Sequence, residues 1–244
     1  MGATPQEAPS GAGLPLFQVE EVLKTDLFGR IERGRLQLPG APLRAAVRRD
    51  AGAGPFWARL LARRLARREA RALEALGGAA GFPRLLFSGR GVFFRSWLAG
   101  RPMQEALPRD PVYFHQALRL VVRMHRLGVV HNDLAKEPNW LVTPRGGAAL
   151  VDFQLAWTSR RRGRWFRLQA REDLRHLLKH KRTYCPARLT ARERRLLERP
   201  SLPARVWRLA GKPLYLGVTR GLLGWADREG AGDRSAGPGR SGST

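Results

Sequence analysis

The sequence predicts an α+β chain in which a small antiparallel sheet with one long helix precedes a mainly helical part. Three patterns carry this expectation. From Phe17 to Leu38 the residues alternate well enough for two strands around Asp26-Leu27-Phe28-Gly29-Arg30, and shorter runs at 43–49, 84–87 and 92–98 supply further strands. Within Pro55 to Leu76, Phe56, Trp57, Leu60, Leu61, Leu65 and Leu73 recur at helical steps until Gly77 and Gly78 stop the pattern. Behind Pro111, the residues Phe114, Leu118, Val121, Val122 and His125 repeat at the same period, and Gly128 ends that helix.

At 244 residues the chain is long enough to bury a substantial core. Residues 1–14 read as a disordered leader, 15–100 and 101–228 as the two parts just described, and 229–244, where Gly, Ser and Arg dominate, as a flexible tail. No window approaches the ~18 uninterrupted apolar residues of a membrane-spanning helix. The start lacks a basic-then-apolar signal segment, so a cytoplasmic location is expected. Gln6 stands where a myristoylation signal needs Ser or Thr. The single Cys185 has no disulfide partner within the chain, and no Cys/His spacing points to zinc.

The formal charge of +25 is carried almost wholly by arginine, since lysine occurs only at 24, 136, 179, 181 and 212. A field of that sign attracts ATP, phosphorylated glycans, anionic lipid headgroups and nucleic acid alike. The usage also matches a GC-rich coding sequence, in which arginine accumulates without selection for charge.

The chemistry concentrates between Leu127 and Phe153. Asp133 follows a short apolar run and His131. Asn139 lies six residues on, before Trp140, Leu141 and Val142, and Asp152 ends a second apolar run, 148–151. Two short strands around the Gly146-Gly147 turn are expected, with Asp133 and Asn139 in the loop before them and Asp152 in the loop after. Phosphoryl transfer suits this set, because it needs positioning and charge neutralisation more than covalent chemistry. Asp133 would orient and deprotonate an acceptor hydroxyl. Asp152, the amide oxygen of Asn139 and nucleotide phosphates would supply oxygen ligands to magnesium.

His131-Asn132-Asp133-Leu134 followed by Asn139 resembles the His-x-Asp-Leu…Asn catalytic loop of the protein-kinase-like superfamily, and Asp152-Phe153-Gln154 resembles its Asp-Phe-Gly triplet. The short chain and Gly100-Arg101-Pro102 after an apolar strand are most similar to the RIO-type and lipopolysaccharide (Kdo/heptose) kinase branch. The resemblance spans residues 17–178. It implies a bilobal fold, with a small-sheet lobe over 15–100, a mainly helical lobe over 101–228 and an adenine-framing hinge near 98–103. ATP and Mg2+ are the implied cofactors.

Residue by residue, the resemblance implies Asp133 as the catalytic base, His131 as a prop of the catalytic loop, and Asn139 and Asp152 as metal ligands. Lys136 either reaches the transferred phosphate or is a solvated loop lysine. Gly29 falls in the phosphate-covering turn, where only Gly34 accompanies it. With Ala45-Ala46-Val47-Arg48 laid on the family's Val-Ala-Ile-Lys strand, Arg48 takes the place of the phosphate-binding lysine. Glu69, with Glu74 as the second candidate, stands where the helix glutamate pairs with that cation, so an ion pair between Glu69 and Arg48 is predicted. The family usually has five steps from Asp133 to Asn139, and the sixth is expected to be absorbed around Glu137-Pro138.

Around this centre, Trp157 to Arg171 sets six arginines beside Trp165 and Phe166, where the family binds its acceptor. It suits phosphorylated sugars, an anionic bilayer or single-stranded nucleic acid, and reads equally as a mobile basic loop. Arg59, Arg63, Arg67 and Arg71 beside Phe56 and Trp57 form either a membrane-facing or a solvated helix face. A helix over 173–180 would let Asp173 anchor the catalytic loop from below, His125 reads as a core histidine, and Thr190 with Glu193 is a capping box. The expected function is ATP- and magnesium-dependent transfer to a hydroxyl of a lipopolysaccharide-core sugar or a protein serine or threonine. A pseudokinase and a basic nucleic-acid-binding protein are the alternatives.

Overall fold

The computed structural model describes residues 15–89 and 91–198, a mixed α+β arrangement with a five-stranded antiparallel sheet and several helices. Strands β1 (Leu16–Asp26) and β2 (Gly29–Gln37) form the expected hairpin, closed by Leu27 and Phe28. Asp26 Oδ1 accepts the Phe28 N–H at 2.8 Å, so the turn is held by its own carboxylate. With β3 (Arg44–Asp50), β4 (Leu85–Gly89) and β5 (Val92–Ser96), the sheet order is β1-β2-β3-β5-β4.

Helix α1 (Arg59–Leu76) follows β3 after a 3-10 turn, Phe56–Ala58. Gly77 ends it at φ +57°, returning its N–H to the Glu74 carbonyl. Alanines 62, 66, 70 and 72 with Leu73 and Leu76 make its buried face. Small side chains there let the helix lie close to the sheet.

The pleat sorts the sheet residues onto two faces. Arg49 pairs in register with Ile31 and Phe93, and Phe93 belongs to the large buried cluster that also holds the α1 alanines, Tyr113, Met124 and Trp140. Arg48 pairs in register with Glu32 and Phe94, on the face where Leu36, Ala46, Val92 and Phe94 are covered by Phe17, Leu38, Leu86 and Phe87. Neighbouring arginines thus point to opposite sides.

The remaining elements are β6 (Arg101–Pro102), α2 (Met103–Ala106), α3 (Pro111–Arg126), β7 (Val129–Val130), β8 (Trp140–Val142), β9 (Ala148–Leu150), β10 (Trp157–Thr158), α4 (Arg164–Tyr184) and α5 (Ala191–Glu198). Asp110 caps α3 by accepting the Val112 N–H at 2.8 Å, with Pro111 in the first turn. Strands β8 and β9 form the expected hairpin and join β6 in one small sheet, while β10 pairs with β7 in another. The capping box at α5 forms as expected: Thr190 Oγ1 accepts the Glu193 N–H at 3.2 Å, and Glu193 Oε2 accepts the Thr190 N–H at 2.8 Å.

One expectation changes in the basic segment. Helix α4 begins at Arg164, so 164–171 is helical rather than loop. Buried Phe166 anchors its first turn, 6.2 Å from the His125 ring and 6.4 Å from Trp157. Arg164, Arg167 and Arg171 are exposed at helical spacing, so the arginine run is largely one side of a helix. The expected leader, the tail and the apolar residues between Val206 and Trp225 lie outside the described residues.

Helix α4 also carries two histidines that resist protonation. His180 Nε2 sits 2.8 Å from the buried Leu134 carbonyl, and burial pushes its imidazole below the ordinary value. Burial, then Lys179, pushes His176 down to about 4. Both are depressed, so the stability they contribute is complete above the unfolded value of about 6.5 and is lost as pH falls toward the folded one. Urea unfolding is therefore expected to weaken from about pH 6.5 to about pH 4, by up to about 3 kcal/mol from His176. His176→Gln should flatten that slope; an unchanged slope would contradict the assignment.

Candidate active site

The loop after β7 is held from several sides. Asp173 of α4 is 1 % exposed, and its carboxylate accepts the backbone N–H of His131 at 2.9 Å and of Asn132 at 3.0 Å. His125 Nε2 lies 3.0 Å from the same group, so this histidine is a satisfied core residue, as its position implied. Asn132 adopts φ +66°, a left-handed conformation asparagine tolerates, and its Nδ2 donates to the Leu155 carbonyl at 3.0 Å. The loop before β8 is thereby fastened to the loop after β9.

His131 is fully buried, with Nε2 3.0 Å from the Val151 carbonyl and its ring 4.6 Å from Phe153. Its ring props the two loops apart at a fixed spacing. The imidazole is closed off from solvent.

Asn139 keeps contact with Asp133 despite the extra residue. The residues Glu137–Asn139 form a 3-10 turn that takes up the sixth step. Asn139 Nδ2 then donates to the Asp133 carbonyl at 2.8 Å and to Asp133 Oδ2 at 3.1 Å. Trp140 Nε1 and His180 Nε2 both reach the Leu134 carbonyl, at 3.0 and 2.8 Å, and pin the turn between them. Lys136 Nζ, largely exposed, lies 3.1 Å from Asp133 Oδ2.

Asp152 lies one residue beyond the N–H that Val151 donates to the Asn139 carbonyl at 3.0 Å. That bond brings the second carboxylate beside the first loop. Asp152 holds φ +62°, and its Oδ1 is buried without a hydrogen-bond partner. A left-handed non-glycine residue and an orphaned carboxylate oxygen are both costly, and such features gather at functional sites. Among the described residues no cluster of three or more His, Cys, Asp or Glu is poised around a metal position. One carboxylate and one amide therefore fit a magnesium ion only in the mode that completes its shell with phosphates and water.

The cation expected at Arg48 is Arg49. Arg48 Nε donates to Glu32 Oε2 at 2.6 Å and its guanidinium lies over the Phe17 ring at 5.3 Å, on the outer face of the sheet. Arg49 Nη1 meets Glu69 Oε2 at 3.3 Å, and Arg49 Nη2 donates to Gln154 Oε1 at 2.9 Å. A one-residue slip in a strand moves a side chain to the other face, which is why the predicted pair between Glu69 and Arg48 does not form. Glu69 occupies the expected place on α1, and burial pushes its carboxyl up against the pull of Arg95 and Arg49. Arg95 Nε, 3.5 Å away, is its second partner.

Gln154 replaces the glycine of the resembled triplet with a bridge. It holds Arg49 through Oε1, and its Nε2 lies 3.5 Å from Asp152 Oδ2. The strand cation and the second carboxylate are thus linked through one side chain. The sequence does not single out Arg49, Arg95 or the bridging role of Gln154. The alternation of β3 against Glu32 on one side and Ile31 on the other was the available signal.

Gly29 is explained by the sheet. At φ +114°, a Cβ there would lie 1.9 Å from the Asp50 carbonyl oxygen, and the neighbouring Phe28 N–H is already taken by Asp26. A glycine at 29 is thus required by packing within the sheet. No family model matches the chain, and no curated protein matches it.

Proposed function

We propose that this chain is a two-lobed, kinase-like cytoplasmic phosphotransferase that moves the γ-phosphoryl group of ATP to a hydroxyl with magnesium. The observation that supports it best is the pairing of Asp133 with Asn139, whose carbonyl is bonded to the strand end that carries Asp152, with Asp152 linked through Gln154 to Arg49. Asp133 commits Oδ2 to Asn139 and Lys136, leaving Oδ1 for the acceptor hydroxyl. The hydroxyl oxygen attacks the γ-phosphorus as its proton passes to Oδ1. The bond to the β-phosphate oxygen breaks, and ADP leaves.

Arg49, held by Glu69 and Gln154, meets the nucleotide phosphates, and Lys136 offsets charge on the group in transfer. Asp152 Oδ1 and the Asn139 amide oxygen would hold magnesium, which when bound neutralises the phosphate oxygens. The acceptor is a sugar hydroxyl of a phosphorylated glycan or a protein serine or threonine.

The test is transfer of labelled γ-phosphate from Mg-ATP into separated glycan and protein fractions. Wild type should label one of them, and Asp133→Ala and Asp152→Ala should each fall by at least about a hundredfold. The hairpin tip, where Asp26 already takes the Phe28 N–H, favours one other reading, a pseudokinase that binds nucleotide without turnover. Confirmed ATP binding, with wild type and both variants at the same background, would select it.

A further inference from the structure

The exposed side of α1 carries two features that phosphoryl transfer does not use. At its N-terminal end Phe56, Trp57, Leu60 and Leu61 are 80, 56, 64 and 51 % exposed. Four large apolar side chains within six residues are left in water. From Leu60 the same ridge continues as Arg64, Arg67 and Arg71, four, seven and eleven positions on, so leucine and guanidinium groups share one stripe.

Those arginines line two adjoining cavities of about 430 and 640 Å³, which share Arg71 and Thr158. Arg126, Arg160 and Arg162 line the larger one, where Glu74 is the one acidic wall residue. Among the described residues none of these six arginines has a carboxylate partner. Arg68 on the same wall is held by the Ala156 carbonyl, which fixes α1 to the segment before β10. An open groove of uncompensated guanidinium forks matches phosphate groups in charge and geometry.

We propose that this face of α1 docks on an anionic lipid surface, with headgroup phosphates in the arginine groove and Phe56, Trp57, Leu60 and Leu61 in the interfacial layer. A basic groove beside an exposed aromatic and aliphatic turn is the pattern of an interfacial helix. Nucleic acid accounts for only half of it. The ring lining the groove, Trp157, is packed toward Phe166 at 6.4 Å rather than offered for stacking, and leucines gain nothing from a phosphate backbone. No helix of the described residues is long and apolar enough to cross a membrane, so the contact is with one surface. This inference does not depend on the phosphoryl-transfer reading.

The experiment is co-sedimentation of the full chain with phosphatidylcholine vesicles, with and without phosphatidylglycerol. Wild type should bind the anionic vesicles and not the neutral ones. Arg64→Glu with Arg67→Glu should weaken binding on the order of tenfold or more, at about 1 kcal/mol for each arginine near the surface. Trp57→Ser with Leu60→Ser should weaken it comparably, while Arg119→Glu, an exposed charge reversal on α3, should stay within about twofold of wild type. All substituted residues are exposed, and matching thermal unfolding would confirm intact folding.

Three outcomes overturn the proposal. One is an absence of vesicle binding by wild type. Another is unchanged binding by the tryptophan–leucine variant, which would leave a soluble polyanion such as RNA as the ligand. The third is an equal loss in Arg119→Glu, which would mean net charge alone is sensed.

Discussion

Replacing Asp173 with alanine is expected to cost roughly 3–5 kcal/mol of stability and to abolish the proposed phosphate transfer, although Asp173 takes no part in the proposed chemistry. Its carboxylate is the shared acceptor for the His131 and Asn132 amides and the His125 ring. Alanine would leave two backbone donors and an imidazole without that acceptor in a site from which water is largely excluded. The left-handed turn at Asn132 would lose what holds it, and Asp133 would move away from Asn139.

Urea unfolding and a transfer assay at saturating ATP measure the two effects. Nucleotide binding should be weakened far less than turnover, because Arg49 and Glu69 sit on other elements. Full activity in a stable Asp173→Ala protein would show that the loop is fixed by its other contacts alone.

The second expected result is a crossover between two adjacent arginines. Arg49→Met should reduce transfer by at least about a hundredfold, because it removes the only β3 guanidinium on the Gln154 and Asp152 side, while Glu69 keeps Arg95 as a partner. Arg48→Met should leave transfer within a few fold. It should instead destabilise the fold by about 1–3 kcal/mol, because buried Glu32 loses its closer partner and keeps only Arg30, 3.7 Å away. Turnover and urea midpoints on both variants separate these outcomes. If Arg48→Met lost the activity instead, the phosphate contact would belong to the outer face and the proposed site would fail.

The crossover separates what local sequence fixes from what packing fixes. Asp133, Asn139 and Asp152 were legible because they are loop residues at strand ends, where short apolar runs and a Gly-Gly turn set their order and approximate distance. The Asp173 anchor and the Thr190–Glu193 box were also legible, since each depends on a local or fixed helical relation. Arg48 and Arg49 are alike in chemistry and adjacent in sequence. Only the register of β3 between β2 and β5 decides which faces α1, and a pleat with period two turns a one-residue uncertainty into the opposite face.

The helix within the basic segment was hidden for a related reason. Phe166 and Leu177 lie eleven positions apart on α4 with arginines crowding the turns between them, so the local sequence resembles a loop until the core beneath Phe166 is in place. By itself, the sequence determined the α+β composition, the order of elements and the three polar residues at the loop centre, because apolar periodicity and turn residues act over a few positions. The tertiary structure alone decided which arginine meets Glu69, the bridging role of Gln154 and the orphaned oxygen of Asp152. Each depends on which side chains meet across elements distant in the chain, and that is set by packing rather than by neighbours in sequence.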